Sequence, residues 1–147
     1  SNLKRLSLEN VQTQYADARY DKFPPARAFL IDAPCSGFGV IRKRSDLRWR
    51  RKPEQMAELL SLQSDILENI AGQLPRGGSL LYSTCTFDKE ENDGVILRFL
   101  EQHPDFFISE NFPPEIPEAV RMPNGFVRSL PHVHSAEGSF AVLLKRC

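Results

Sequence analysis

The sequence lacks long apolar runs, an excess of either charge and more than a few cysteines. A helix that spans a bilayer needs about 20 predominantly apolar residues, and no stretch approaches that length, so we expect a protein that does not enter a membrane. Three cysteines are too few for a disulfide framework, and no signal peptide is evident. These features predict a reducing compartment, the cytoplasm. Because 19 Lys and Arg balance 19 Asp and Glu, net charge alone indicates no acidic partner.

Two absences concern ligand sites. In a doubly wound fold, a glycine-rich turn after the first strand binds the phosphates of a nucleotide, and no such turn is present. We therefore expect the first cofactor-binding strands to lie outside this chain. His132 and His134 lack a second pair of ligands at zinc spacing, which argues against a metal site. Cys147 is expected to have no part in the chemistry.

Length and composition predict one domain over residues 1–147. With 41% hydrophobic and 26% charged residues, the chain has the composition of a globular protein. It is too short for two domains of ordinary size. Because the helical pattern of residues 2–6 starts at the first residues, we expect the domain to begin upstream of this sequence and to be truncated in it.

Apolar periodicity predicts alternating strands and helices. One helix begins at Pro53 and ends at the turn residues 75–78, and a second carries apolar residues between 95 and 100, after a capping box formed by Asp88 and Glu91. A strand, a helix and a second strand form a right-handed crossover that makes the two strands parallel. We therefore predict an α/β fold with a mostly parallel sheet flanked by helices. Strands are predicted over residues 11–14, 27–31, 79–83, 106–109 and 140–144, with a proline-rich loop over 113–125.

Two cysteines closely follow two of these strands. Cys35 comes shortly after the strand over 27–31, and Cys85 after the strand over 79–83. Because ligands in such sheets bind beyond the carboxyl ends of the strands, we expect the two cysteines to share one rim. The alternative is that each cysteine is a small apolar filler, and that Asp32 only closes its strand with an Asx-turn.

Residues 42–52 form a basic segment that contains a tryptophan. Seven Lys or Arg stand there against one acidic residue, Asp46. Guanidinium groups match phosphate geometry, and an aromatic ring can stack on an unpaired base. The alternative is a solvated basic loop whose Trp49 packs inward. We predict RNA contacts through Arg42, Arg48, Trp49 and Arg51.

Two short motifs resemble those of a known enzyme family. Residues 32–37 read Asp-Ala-Pro-Cys-Ser-Gly, and residues 83–86 read Ser-Thr-Cys-Thr. With their flanking sequence they resemble the Nop/Sun, or Fmu-like, family of S-adenosylmethionine-dependent RNA cytosine-5 methyltransferases, in the carboxy-terminal part of the catalytic domain. Phe38 departs from the family, which has a small polar residue there, and Glu137-Gly-Ser-Phe replaces Asp-Gly-Phe-Phe. The likeness extends through residues 39–42, 47–49, 62–63, 77–78, 90–92, 131–132 and 137–140.

This resemblance implies a partial Rossmann-like domain that transfers a methyl group from S-adenosylmethionine to C5 of a cytidine in RNA. Ribosomal RNA is the expected substrate, with transfer RNA as the alternative. C5 of cytosine is a weak nucleophile until a thiolate adds at C6, and covalent addition divides one hard step into easier ones. The family's motifs imply that Cys85 is this nucleophile and that Cys35 assists release of the product.

The resemblance also assigns roles to two carboxylates. Asp32 is implied to contact the target base and the bound cofactor, and Asp17 to meet the adenine amino group of S-adenosylmethionine, although Asp17 could be only a turn residue. Because the family's glycine-rich cofactor loop lies outside the chain, we expect residues 1–147 alone to bind the cofactor weakly and to be inactive. Two other functions stay open: a non-catalytic RNA-binding module, and a thiol redox protein, for which the Cys-x-x-Cys spacing is missing.

Overall fold

The structure is a computed structural model that describes residues 5–50 and 52–147, without the side chains of Arg48, Arg50 and Pro53. Of the predicted helical pattern over 2–6, residues 2–4 lie outside the described residues. The strands are β1 (Ala28–Asp32), β2 (Ser79–Thr84), β3 (Phe106–Ile108), β4 (Phe126–Ser129) and β5 (Ser139–Arg146). The α-helices are α1 (Leu47–Arg50), α2 (Pro53–Gln73), α3 (Val95–Gln102) and α4 (Pro131–His134). Short 3-10 turns lie at Phe38–Val40 and Glu118–Val120, and a π-helical turn at Glu90–Gly94.

The strands form one mixed sheet in the order β1-β2-β5-β3, with β4 also paired to β5. β1 and β2 are parallel and are joined by α2, as the crossover prediction required. β5 instead runs antiparallel to β2, β3 and β4. The α/β class is therefore confirmed, but the prediction of a mostly parallel sheet is wrong for the described strands. Residues 130–138 link β4 to β5 and are too few for the crossover that parallel strands need.

Helices α2 and α3 pack on one face of the sheet and form the core with it. α2 begins at Pro53 as predicted, because proline in the first turn of a helix removes no intrahelical hydrogen bond. Burying one large apolar side chain contributes about 1.5–3 kcal/mol, so this shared core holds the strand ends in place. None of the described helices has the length and apolar run that a membrane span requires. The core includes Ile66, Leu67 and Ile70 of α2, Leu80 and Tyr82 of β2, Ile96 and Phe99 of α3, and Val142 and Leu144 of β5.

Two of the strand predictions do not match the structure. Residues 11–14, predicted as a strand, have no regular secondary structure and are exposed. The segment contains one apolar residue, Val11, so it has no apolar face to bury against the sheet. Conversely, β4 was missing from the prediction. Its four residues follow Gly125, whose φ of 81° turns the chain into the strand, and a run this short carries little periodicity.

Candidate active site

The two cysteine sulfurs are in contact at the carboxyl ends of the parallel strands. β1 and β2 pair in register up to Asp32 and Ser83. Cys85 follows β2 directly, and Cys35 lies three residues beyond the end of β1. The Sγ atoms of the two cysteines are 3.3 Å apart. The prediction that both cysteines share one rim is confirmed, although they are 50 residues apart in sequence.

Glycines let three segments cross beside the sulfurs. The backbone N–H of Gly39 donates to the carbonyl oxygen of Cys85 at 3.0 Å, and Gly138 N–H donates to the carbonyl oxygen of Gly39 at 2.9 Å. A Cβ atom on Gly39 would lie 1.9 Å from the carbonyl oxygen of Gly138 and 2.7 Å from that of Cys85. Since real contacts are never so short, residue 39 must be glycine for these segments to meet.

The environments of the two thiols differ. Cys85 is exposed, whereas Cys35 is half-buried. Burial, followed by its hydrogen bond with Cys85, raises the pKa of the Cys35 thiol to about 12. Cys35 therefore stays protonated at neutral pH and can donate a hydrogen bond to a neighbouring sulfur. Cys85 presents the sulfur that a ligand can reach.

A buried carboxyl group lies beneath the rim. Glu91, in the π-helical turn, has no solvent exposure. Its Oε1 accepts hydrogen bonds from the backbone N–H of Ser36 at 2.7 Å and from Nε2 of Gln63 at 2.9 Å, and its Oε2 accepts one from Ser36 Oγ at 2.5 Å. The Gln63 amide also donates to the carbonyl oxygen of Pro34 at 2.9 Å. One side chain thus fixes the loop that carries Cys35.

The loop that carries Cys85 is held by the same turn. Thr84 Oγ1 donates to the side-chain oxygen of Asn92 at 2.6 Å, and the Asn92 amide donates to the carbonyl oxygen of Thr86 at 3.1 Å. The hydroxyls of Ser36 and Thr86 lie 2.9 Å apart and join the two loops. Burial raises the pKa of Tyr82, so its protonated hydroxyl donates to the carbonyl oxygen of Glu91.

The predicted capping box of Asp88 and Glu91 is not formed. The Asp88 carboxylate accepts a hydrogen bond from the backbone N–H of Glu90 at 2.8 Å, but the N-cap of the turn is Lys89, which makes no side-chain cap hydrogen bond. Glu91, the predicted partner of Asp88, instead turns inward to Ser36 and Gln63. This role was not predicted, because Glu91 has the local spacing of a cap residue and its partners lie far away in sequence. A polar residue at position 63, where the apolar repeat of α2 is interrupted, was the available signal.

Asp32, the last residue of β1, lines a cavity of about 410 Å³. Its carboxylate is exposed and receives one long hydrogen bond, 3.4 Å, from the hydroxyl of Ser83. Pro34, from the Cys35 loop, lines the same cavity. The other walls are mainly apolar and comprise Ala18, Phe23, Phe29, Leu30, Ile31, Ile66 and Ile70.

Asp17 lines a neighbouring cavity rather than that of Asp32. The two cavities share Ala18, and the second also contains Tyr15, Arg19 and Leu62. The guanidinium and backbone N–H of Arg19 hydrogen-bond to the Asp17 carboxylate, with Arg19 Nη2 at 2.6 Å from Oδ2, and lower the pKa of Asp17 to about 2. Asp17 is thus an ionised acceptor at neutral pH.

The basic segment begins two residues after the 3-10 turn that follows Cys35. Arg42 and Trp49 are exposed, and the Trp49 side chain is 84% accessible. The alternative in which Trp49 packs inward is therefore wrong. Lys43 pairs with Glu137 at 2.5 Å, which links the segment to the residue before Gly138. Arg51 and the side chain of Arg48 lie outside the described residues, so their predicted contacts stay predictions.

Of the two histidines considered as metal ligands, His134 makes hydrogen bonds to the backbone and His132 is exposed to solvent. His134 Nδ1 accepts from the backbone N–H of Leu130, and its Nε2 lies 2.9 Å from the carbonyl oxygen of Ala119. His132 is exposed. Over residues 5–50 and 52–147, no three His, Cys, Asp or Glu residues are grouped to hold a metal ion.

The sequence is similar to ribosomal RNA methyltransferases along almost its whole length. A family model described as "16S rRNA methyltransferase RsmB/F" matches residues 1–145. The chain is 39% identical to the "Probable ribosomal RNA small subunit methyltransferase B" of Bacillus subtilis, over 97% of the chain and 33% of that protein. It is 42% identical to the protein of that name from Synechocystis, over 80% of the chain and 26% of that protein. The chain thus spans about a third or less of these relatives.

Solved structures give the same result. The crystal structure of PH0851 matches with a TM-score of 0.85 and 36% identity, over 98% of this chain and 33% of that one. The crystal structure of NSun6 from Pyrococcus horikoshii with SFG matches with a TM-score of 0.79 and 30% identity, over 99% of this chain and 37% of that one. The resemblance to the Nop/Sun methyltransferases is confirmed, and the chain belongs to the 16S rRNA methyltransferase RsmB/F family.

Proposed function

We propose that the chain is the cytosine-handling part of an enzyme that methylates C5 of a cytidine in RNA, with Cys85 as the nucleophile. The observation that carries the proposal is the contact of two unlike thiols at the strand ends, one exposed and one half-buried, with their Sγ atoms 3.3 Å apart. Covalent catalysis divides the reaction into attack and release, and a second thiol in contact with the attacking sulfur can assist the release. Membership of the methyltransferase family supports this use of the pair.

In the proposed reaction, Cys85 acts first. Its thiolate forms a bond to C6 of the cytosine, and the electrons of the C5–C6 double bond become available at C5. Once C5 carries the methyl group, its proton leaves to water, and the electrons of the C5–H bond form the C5–C6 double bond. The C6–Sγ bond breaks in the same elimination, and sulfur takes the electrons of that bond and leaves as a thiolate. The protonated Cys35, whose Sγ is in contact with the departing sulfur, stabilises that thiolate by a hydrogen bond.

S-adenosylmethionine, when bound, would supply the methyl group as an electrophile. The cavity lined by Asp32 fits part of such a molecule, because its apolar walls suit an adenosine and the Asp32 carboxylate suits a cationic group. Asp17, held ionised by Arg19, would accept a hydrogen bond from an amino group. Family membership and a relative solved with SFG, an analogue of S-adenosylmethionine, support this assignment.

Ribosomal RNA of the small subunit is the proposed substrate. The relatives named above are described as ribosomal RNA small subunit methyltransferases, and the exposed Arg42 and Trp49 belong to the segment that follows the Cys35 loop along the chain. We propose that Arg42, Arg48 and Arg51 contact phosphates and that Trp49 stacks on an unpaired base. Transfer RNA is the alternative substrate. Methylation assays of the full-length protein on a small-subunit ribosomal RNA transcript and on transfer RNA transcripts, run in parallel, distinguish the two.

Substitution of the cysteines in the full-length protein tests the mechanism. Cys85→Ala removes the attacking thiolate, so methylation should fall to background and no covalent RNA adduct should form. Cys35→Ala should permit attack and methyl transfer but slow release, so an adduct should accumulate on a denaturing gel. Cys147→Ala, at an exposed cysteine away from the rim, is the matched control and should behave as wild type.

The double variant of Cys35 and Cys85 should form no adduct. An adduct with Cys85→Ala and none with Cys35→Ala would reverse the two roles. Unchanged methylation in both single variants would exclude the covalent mechanism, and RNA binding without methylation by the wild type would favour the non-catalytic module.

A further inference from the structure

Glu91 lies between the two cysteine loops, and a capping role does not explain its position. The residue is 0% exposed, and its carboxyl group accepts hydrogen bonds from Ser36 N–H, Ser36 Oγ and Gln63 Nε2. Burial of a carboxyl group is strongly unfavourable without such partners. Glu91 also belongs to a π-helical turn, a rare conformation found frequently at functional sites.

The hydrogen bonds of Glu91 act on the residue next to Cys35. Ser36 donates to the carboxyl group through both its backbone N–H and its hydroxyl, so its backbone and its rotamer are both fixed. The same hydroxyl lies 2.9 Å from Oγ1 of Thr86, the residue after Cys85. Contacts therefore run from Glu91 through the residue next to Cys35 to the residue next to Cys85.

The two cysteines depend on these contacts to different degrees. Cys85 directly follows β2, which is hydrogen-bonded to β1 on one side and β5 on the other. Cys35 lies three residues beyond β1, in a loop that Glu91 and Gln63 hold from the interior. Removal of the Glu91 carboxylate should therefore displace Cys35 more than Cys85.

We propose that Glu91 is a positioning residue that keeps Cys35 in contact with Cys85. In this position Cys35 speeds the release of the methylated RNA, so that the covalent adduct does not accumulate. This inference rests on the proposed function, in which Cys35 stabilises the Cys85 thiolate as the C6–Sγ bond breaks. Without Glu91, the Cys85 thiolate still adds to C6, but elimination slows because the Cys35 thiol no longer lies against the departing sulfur.

A disulfide cross-link tests the positioning without RNA or cofactor. In a Cys147→Ser background, diamide oxidises the Cys35 and Cys85 thiols to a disulfide and is itself reduced to the hydrazine, taking up both protons and both electrons. Glu91→Gln should slow this reaction at least about tenfold, since a misplacement of about 1 Å can cost about 100-fold in an intramolecular reaction. Non-reducing peptide mass spectrometry measures the rate.

Glu90→Gln is the matched control, because it makes the same chemical change one residue away on a side chain that is 69% exposed. It should retain the wild-type cross-linking rate. An unchanged rate for Glu91→Gln would overturn the positioning role. If Glu91→Gln does not fold, Ser36→Ala removes the hydroxyl from the same contact. It must slow the cross-link for the proposal to stand.

Assays of the full-length protein with RNA then test whether the position of Cys35 controls release of the methylated RNA. Glu91→Gln should accumulate the covalent adduct, as Cys35→Ala does, while methyl transfer in the first turnover stays close to the wild-type rate. A merely structural role would slow attack and release together and leave no adduct. If cross-linking slows but neither Glu91→Gln nor Cys35→Ala accumulates adduct, Glu91 still positions Cys35, and the proposed task of Cys35 is wrong.

Discussion

The cysteine loops (residues 33–40 and 85–89) and the basic segment (residues 42–52) are close neighbours but are held in place differently. Two fully buried residues of one turn fix the cysteine loops from the interior: Glu91 holds the Cys35 loop and Asn92 the Cys85 loop. The basic segment presents Trp49 to solvent. A covalent reaction depends steeply on geometry, whereas phosphate contacts are sequence-independent charge interactions that salt weakens. We therefore expect changes in the loops to alter reactivity steeply and changes in the segment to alter RNA affinity gradually.

The largest expected effect is the low reactivity of Cys35. Its pKa, raised from 9.0 to about 12, lowers the thiolate fraction at pH 8 relative to the unfolded chain. Alkylation by iodoacetamide should be roughly 100- to 1000-fold slower than for the same thiol in urea. The rate should rise with pH toward 12. Because unfolding lets the thiol ionise, the same shift removes folding stability as the pH rises from 9 toward 12.

Peptide mass spectrometry of alkylated protein checks this comparison, with exposed Cys147 as the internal control. Cys147 should be modified at similar rates in native and unfolded protein. Equal native rates for Cys35 and Cys147 would show that the Cys35 loop is open in solution and is not fixed by Glu91.

Gly39→Ala should break the crossing that brings the cysteine loops together. Its Cβ would lie 1.9 Å from the carbonyl oxygen of Gly138, so the segments must separate. We expect a decrease of about 2–3 kcal/mol in the free energy of unfolding, as for overpacked sites, together with slower Cys35–Cys85 cross-linking. Gly72→Ala in α2 is the control, because the added Cβ would have no contact within 4 Å. It should stabilise the helix by about 0.5–1 kcal/mol. Urea titration of both variants measures the difference, and equal stabilities would contradict it.

Elements with strong local patterns could be predicted from sequence. Helix α2 has repeated apolar positions and a proline at its start, and β1 and β2 are short apolar runs that end before polar residues. The antiparallel direction of β5 could not be predicted, because its run of apolar residues, 140–144, is the same for either direction of pairing. Pairing depends on the length of the preceding connection and on which edge of β2 is available.

The sequence predicted those parts of the site that depend on local patterns and missed those that depend on tertiary contacts. Cys35 and Cys85 each follow a strand, and the topology rule for strand ends places them together. Glu91 has the spacing of a cap residue, and its hydrogen bonds to Ser36 span 55 residues, a distance over which a local pattern carries no information. The exposure of Trp49 likewise depends on tertiary packing, so both interpretations stayed open from sequence.

Removal of charge from the basic segment should reduce RNA affinity moderately. Arg48→Gln with Arg51→Gln should weaken binding and lower the slope of log K against log salt by about 0.7–0.9 for each phosphate that the protein no longer neutralises. Arg27→Gln with Arg76→Gln is the matched control, because both residues are exposed at the amino ends of β1 and β2, away from the rim. Filter binding of the full-length protein at several salt concentrations gives the slopes. Equal slopes for the two pairs would show that the segment is only a solvated surface.

The smallest expected effect is that of Trp49→Ala, and it separates base stacking from a purely electrostatic surface. Because the side chain is 84% exposed, the melting temperature should stay nearly unchanged, as for surface substitutions within about 0.5 kcal/mol. Removal of one stacking ring should weaken RNA binding by about 1–3 kcal/mol, while the salt slope stays the same because the substitution removes no positive charge. Trp49→Phe retains an aromatic ring and should recover much of the affinity. A lower salt slope would instead indicate that the substitution disturbs the neighbouring arginines. Unchanged affinity would show that the segment binds RNA through its charges alone and that Trp49 does not stack on a base.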